Sequence, residues 1–358
     1  MQQAANEQQN LEDFWLVVVY LCFSLLSIFG AGLCGLLTVL LKKYNVFHAN
    51  FREILANVIL ALGINNVLQF GRVVLVLYEW YYEKPIIQIK NFSNECLEFS
   101  IIPTFICAII TISGIILATE RLYATLNFAK YEYEDITWIL KKFFALMWTF
   151  MGFTIIWHIC EFLAKDSNGS YYSCMLVQIV QNPLKSSWHI VITGLCQLVF
   201  LVVFLTVYKV NKEKQIVYIK YHYNNLSSRF QLGENIKATR LLLPKTFLLL
   251  ITLVISFGHT YKLNQWFKLS RNPYEIDVIH NIILWQEISL LFFPLYSVIM
   301  PLIFILKCTV FMNRTRCLFK EMVYKVKGNN GRQKKPSGIK EAFFDDLDAC
   351  WEDAMHYS

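Results

Sequence analysis

Seven runs of about twenty or more predominantly apolar residues leave this chain of 358 residues very few ways to fold. They cover roughly residues 14–41, 54–78, 97–119, 138–163, 188–208, 241–261 and 282–306. Each is long enough to cross a hydrocarbon core of about 30 Å as a helix rising 1.5 Å per residue. Lipid offers the backbone no hydrogen-bond partners, so a spanning segment must be a helix or a strand of a closed barrel. Barrel strands would be short and would alternate apolar with polar residues; these runs do not. The sequence therefore predicts an all-α integral membrane bundle of seven transmembrane helices. The sixth run is the least regular, with Pro244 and Lys245 near its start.

Composition agrees with this reading. Only 16% of residues are charged, against about a quarter in a soluble domain, and the mean hydropathy is +0.42. That balance excludes a cytosolic enzyme and excludes disorder over most of the chain. The first run follows no basic segment and is too long for a signal-peptide core, so it is expected to stay in place as a span. Residues 1–13 then form a short extracellular N-terminus and 14–306 the seven-helix domain. Residues 307–327 form an interfacial amphipathic helix, and 328–358 a flexible cytoplasmic tail.

Lys and Arg set the orientation. One set of flanks carries Lys42, Lys43, Arg52, Arg121, Lys130, Lys141 and Lys142. The fifth-to-sixth connection adds Lys209, Lys212, Lys214, Lys220, Arg229, Lys237, Arg240 and Lys245, and ten more follow residue 306. The opposite flanks carry only Lys84, Lys90, Lys165, Lys185, Lys262, Lys268 and Arg271. Twenty-five against seven predicts an extracellular N-terminus and a cytoplasmic C-terminus. The glycosylation tripeptides at Asn91 and Asn168 fall on the predicted outer side, as do Cys96 and Cys174. In an oxidising exterior these two cysteines are expected to form a disulfide. Cys22, Cys34, Cys107, Cys160 and Cys196 lie within spans and read as small core residues. Cys308 and Cys317 are either palmitoylation points or inert thiols.

No catalytic constellation is present. There is no Cys or His spacing for zinc, no phosphate loop, no dinucleotide fingerprint and no nucleophile elbow. The chain reads as a non-enzyme without cofactor or metal and with no nucleic-acid partner. The spans hold few ionisable groups, among them Arg72, His158, Glu161, His189, His259 and Glu287. Arg72 and Glu287 each lie five or six residues inside the outer end of a span, at a depth of roughly 8–9 Å. A lone charge there costs about 2–3 kcal/mol. The two either snorkel, pair with each other, or line an outward-open cavity for a small molecule. Asn65, Asn66, Gln69, Trp285 and Gln286 would add polar contacts to such a cavity.

Where the third run ends, Thr119-Glu120-Arg121-Leu122-Tyr123-Ala124-Thr125 places opposite charges side by side. They either mark the water boundary or form a two-state latch, the guanidinium gripping the carboxylate or swinging away from it.

Seven spans with an outer cysteine pair and Glu-Arg at the inner end of the third resemble a G-protein-coupled receptor. Two stretches are more specific. Glu120-Arg121-Leu122-Tyr123-Ala124-Thr125, followed by Tyr131-Glu132, resembles a signature of nematode serpentine chemoreceptors. The stretch Tyr223-Asn224-Asn225-Leu226-Ser227-Ser228-Arg229-Phe230-Gln231-Leu232-Gly233-Glu234-Asn235 resembles their segment before span six. With Phe47-His48-Ala49-Asn50 and Gly71-Arg72, the pattern is similar to the class epsilon (Sre) family. Span six lacks Cys-Trp-x-Pro and span seven reads Pro294-Leu295-Tyr296, departing from rhodopsin-like receptors.

The resemblance implies a chemosensory receptor in the plasma membrane, in the ciliary membrane of sensory neurons. Its partners would be a small-molecule ligand outside, a heterotrimeric G protein inside, and membrane lipid. The ligand set expected is Arg72, Gln69, Asn66, Glu287, Gln286, Trp285, His158, His189 and His259. The coupling set is Glu120, Arg121, Arg229, Lys237 and Arg240. A seven-helix ligand-gated channel or transporter is the alternative; the basic-residue count opposes an N-terminus inside, and no internal repeat suggests a transporter.

Overall fold

The computed structural model describes residues 2–44, 46–83, 101–131, 134–164, 183–221, 226–269, 284–285, 287–288 and 290–317. Nine helices with defined bounds follow one another among these residues, with further helical residues at 284, 285, 287, 288 and 290 and no strand. They are α1 (Gln2–Lys43), α2 (Ala49–Glu83), α3 (Ile101–Leu126), the single turn α4 (Phe128–Tyr131) and α5 (Thr137–Ala164). After these come α6 (Pro183–Tyr221), α7 (Leu226–Leu269), α8 (Phe292–Lys307) and α9 (Thr309–Cys317).

Five helices contain segments long and apolar enough to cross a membrane: Phe14–Lys43, Ala49–Val74, Ala108–Leu126, Val191–Tyr218 and Phe230–His259. A sixth arises if α8 and α9, bent by 100°, count as one span. The fourth expected span corresponds to α5, which is 28 residues long, about 42 Å, but is not among these segments. Two expectations shift. Helix α1 begins at Gln2, so the residues assigned to an N-terminal tail continue the first helix. Helix α7 passes Pro244 without a break, at the cost of one backbone hydrogen bond.

Helices α1, α2, α3, α6, α7 and α8 pack as a closed ring, α8 returning to α1, while α5 lies outside against α2 and α3. Trp148 Nε1 on α5 donates to Asn57 Oδ1 at 2.7 Å, and Asn57 Nδ2 donates to Ser113 Oγ at 2.9 Å, tying α5, α2 and α3 together. The other face of α5 presents Leu146, Phe150, Phe153, Ile156 and Trp157, all exposed. Against water that surface would be a liability; against lipid it is the proper solvent contact.

Two glycines permit close helix approach. A Cβ at Gly114 of α3 would lie 2.7 Å from the Phe200 ring of α6. One at Gly30 of α1 would lie 2.6 Å from Asn66 Nδ2 of α2 and 3.3 Å from Ser297 Cβ of α8. The cysteines divide. Cys34 is buried and its thiol points at the Ser297 carbonyl at 3.7 Å, as a core residue should, whereas Cys22 and Cys160 are exposed on the outer surface of the bundle.

Of the expected interfacial helix, α9 is present. Phe311 is fully buried, its ring 6.2 Å from that of Phe47 in the turn between α1 and α2, and the Arg314 guanidinium lies 5.2 Å over Tyr44. Cys317 is exposed and Cys308 buried, which leaves Cys317 the accessible thiol of the two.

Candidate functional site

Two charged clusters sit at opposite ends of the ring. The first lies at the end where Lys42, Lys43, Lys130, Lys141 and Lys142 gather. Arg121, only 1% exposed, grips its neighbour Glu120 with two nitrogens: Nε donates to Oε2 at 2.6 Å, and Nη2 donates to Oε1. Its remaining donors leave the helix. Nη1 donates to Asn235 Oδ1 on α7 at 3.1 Å, and Nη2 also reaches Tyr131 Oη on α4 at 3.1 Å. Tyr131 donates its own hydroxyl proton to Glu120 Oε1. Burial, and then the Glu120 carboxylate beside it, holds the Tyr131 phenol far above its usual range, so it stays a donor.

Aromatic and amide groups close this cage. The Phe51 ring lies 4.5 Å beneath the Arg121 guanidinium, where a desolvated cation–π contact is worth about 2 kcal/mol. His48 stacks on Tyr131 at 4.1 Å, and its backbone N–H donates to Glu234. Asn235 Nδ2 donates to the Ala124 carbonyl at 3.2 Å. Helix α6 joins through Thr125: Asn211 Nδ2 donates to its hydroxyl at 3.0 Å and Lys214 Nζ to its carbonyl at 2.8 Å. The α4–α5 turn is pinned to α2 by Asn50, whose amide donates to the Glu134 carbonyl at 2.9 Å and accepts from Ile136 N–H at 3.1 Å.

Motif stretches far apart in sequence, at 47–50, 120–125, 131 and 234–235, thus converge on one knot. A pair that only marked a water boundary would be solvated; this one is buried and tied to three other elements. Lys237 and Arg240 are exposed on α7 at the same end. The side chain of Arg229 lies outside the described residues.

The second cluster lies at the far end. Arg72 and Glu287 form a two-pronged ion pair, Nη1 to Oε1 at 2.7 Å and Nη2 to Oε2 at 2.8 Å. Gln69 Oε1 accepts from Arg72 Nε at 3.0 Å, and the guanidinium lies 5.3 Å over Phe23. Leu16, Tyr20, Phe23 and Val73 pack into a small apolar cluster around the pair, with Leu284, Leu290 and Leu291. Of the three readings open from sequence, mutual pairing is the one observed. His259 and Trp285 approach at 5.7 Å between ring centroids.

Asn66 is fully buried against Gly30 and Ser297 and lies about 9 Å from Arg72 along α2. Gln286 lies outside the described residues, as do the side chains of His158 and His189. The expected disulfide cysteines Cys96 and Cys174 and the glycosylation sites Asn91 and Asn168 also lie outside them. Asn235 and Tyr131 carry no charge and were assigned no role from sequence. The signal that could have found them was their place in the quoted motifs. Among the described residues, no group of three or more His, Cys, Asp or Glu side chains could hold a metal ion.

The profile of the family described as "Serpentine type 7TM GPCR receptor class ab chemoreceptor" matches residues 5–327. The chain belongs to the serpentine class ab chemoreceptor family. This corrects the class epsilon resemblance: the serpentine superfamily stands, and the class is ab. A Caenorhabditis elegans relative, "Serpentine receptor class alpha/beta-14", is 24% identical over 203 residues, covering 56% of this chain. The chain spans half the length of that relative. The serpentine class ab family is one of receptors, not of enzymes, and its chain here is a multi-pass membrane protein.

Proposed function

We propose that this serpentine class ab protein is a chemosensory receptor of the plasma membrane, on the ciliary surface of sensory neurons. It binds a small molecule from outside and signals to a heterotrimeric G protein inside. The basic end of the ring faces the cytoplasm, a placement that the Lys and Arg count supports.

The observation that carries this reading is the knot at Arg121. It ties α3 to α7 through neutral and charged hydrogen bonds around one buried cation. On this reading the arrangement alternates with a second form, in which α7 swings out and Arg121 turns to a new acceptor, and the form described here is the closed one. A ligand that packs better against the open form shifts the balance by its difference in affinity for the two, and by no more. Opening exposes Arg121 and the basic face carrying Lys237 and Arg240 to an intracellular partner.

The far-end pair of Arg72 and Glu287 holds α2 to the helical residues ahead of α8 at the ligand-facing mouth. Trp285 and His259 meet ring to ring at the same end and join α7 to that mouth.

The test is a ligand screen in cells reporting cAMP, cGMP and calcium, repeated after loss of the Gα subunits. Responses that vanish with Gα support the receptor reading. Responses that persist as ionic current without Gα overturn it in favour of a channel.

A further inference from the structure

Lys245, read from sequence as near the inner start of the sixth run, lies well inside the longer apolar segment Phe230–His259 of α7 and is only 4% exposed. It lies ten residues, about 15 Å, beyond Asn235 of the knot and fourteen residues, about 21 Å, short of His259. Neither the Arg72 nor the Arg121 cluster uses it. Among the described residues no carboxylate pairs with it. A long side chain near the lipid face could reach the interface, but this one is enclosed by the bundle. An enclosed ammonium within a spanning segment, with no counter-ion among the described residues, is costly, and such residues mark sites that an outside group completes.

Its neighbours along the helix describe that group. At 100° per residue, Lys245, Thr252, Ser256 and His259 share one sector of about 60°. Thr252 and Ser256 are buried, so the sector faces the bundle interior, and His259 brings it to Trp285. His259 Nε2 has no hydrogen-bond partner among the described residues. Beside this polar strip, Leu249 and Leu253 are buried on the adjoining face. The sector therefore carries one cation at its base and polar groups along its length, with Leu249 and Leu253 of the main core on the adjoining face.

We propose that Lys245 is the anion-recognition residue of the ligand site, and that the ligands are organic acids with an apolar tail. The carboxylate pairs with the Lys245 ammonium and the tail lies along Leu249 and Leu253. This rests on the receptor reading and narrows its ligand class.

The test uses the full-length receptor in lipid nanodiscs, with octanoate, decanoate, octanol and octylamine as probes and thermal unfolding as the readout. The two acids are expected to raise the midpoint by about 2–4 °C, while the alcohol and the amine leave it unchanged. Lys245→Met without probe should melt no lower than the wild type, because the lysine it replaces has no partner, and should lose the acid-dependent shift. Lys245→Gln should lose the shift in the same way. The proposal is overturned if neither acid shifts the wild type, or if the shift survives in both variants. It is also overturned if Lys245→Met melts several degrees lower unliganded, since the lysine would then have a structural counter-ion. A receptor that signals through Gα yet ignores these acids sinks this inference alone; Gα-independent responses sink the reading beneath it.

Discussion

Asn235 holds α3 at two points, its Oδ1 accepting from the Arg121 guanidinium at 3.1 Å while its Nδ2 donates to the Ala124 carbonyl at 3.2 Å on the same helix. One neutral amide thereby fixes both a side chain and a backbone group of α3 to α7. Neither bond survives if α7 moves by more than about an ångström, because hydrogen bonds weaken steeply with misalignment. The amide acts as a sensor of helix separation.

Asn235→Ala should therefore destabilise the closed form by about 2 kcal/mol, the loss of one charge-assisted and one neutral bond. Basal signalling is expected to rise roughly tenfold or more at matched surface expression, since 1.4 kcal/mol is a factor of ten in population. Ligand-free second-messenger levels read this directly. Unchanged basal output would deny Asn235 any part in the closed form.

Glu120→Gln should also raise basal output, since the buried guanidinium loses its counter-charge. Arg121→Ala should abolish coupling while ligand binding persists. Tyr131→Phe removes only the hydroxyl between them and should give a smaller rise than Glu120→Gln, corresponding to about 1–2 kcal/mol. That ordering, measured by the same messenger assay, separates a graded lock from three unrelated contacts.

At the far end, neutralising Arg72 or Glu287 alone strands the other charge. The loss should be nearer 2 kcal/mol than the ~3–5 of a fully buried pair, because Arg72 keeps 27% of its side chain exposed. Surface delivery should fall several-fold for either single change. The exchange Arg72→Glu with Glu287→Arg should recover much of it. Retention of the double variant as poor as that of the singles would separate the two residues functionally.

Gly114→Ala places a methyl 2.7 Å from the Phe200 ring and should cost about 1–3 kcal/mol by overpacking. Adding Phe200→Leu should restore most of the loss. Thermal unfolding of the purified protein decides it; additive losses would mean the two sites do not touch.

Cys96 and Cys174 are expected to be joined, closing a loop of about 80 residues at roughly 4 kcal/mol in the chain-entropy treatment. Peptide mapping without reductant should recover the linked pair from surface-expressed protein, and two free thiols there would refute it.

The helices were legible because long uncharged runs allow no other backbone solution in lipid. The Arg72–Glu287 pair was legible for a related reason: each charge, at similar depth on a different run, needs a partner there. The knot was legible only in its first two residues. Arg121 reaches a partner 114 positions away, and an amide at Asn235 looks like any polar residue in a loop. The burial of Asn66 was not legible, because it depends on Gly30, whose missing side chain makes room for it. The class was misread because the motif residues at 47–50, 120–125 and 234–235 build the knot. That task is independent of the ligand, so those residues say little about which receptor class they serve.

The bend between α8 and α9 also has a mechanical side. With Phe311 seated on Phe47 and Arg314 over Tyr44, α9 is moored to the α1–α2 hairpin. In the proposed swing of α7, whatever hangs from that mooring stays with the hairpin. A protein docked on it would wait at a fixed distance from the mouth in both forms, like a boat tied to the pier beside a gate rather than to the gate.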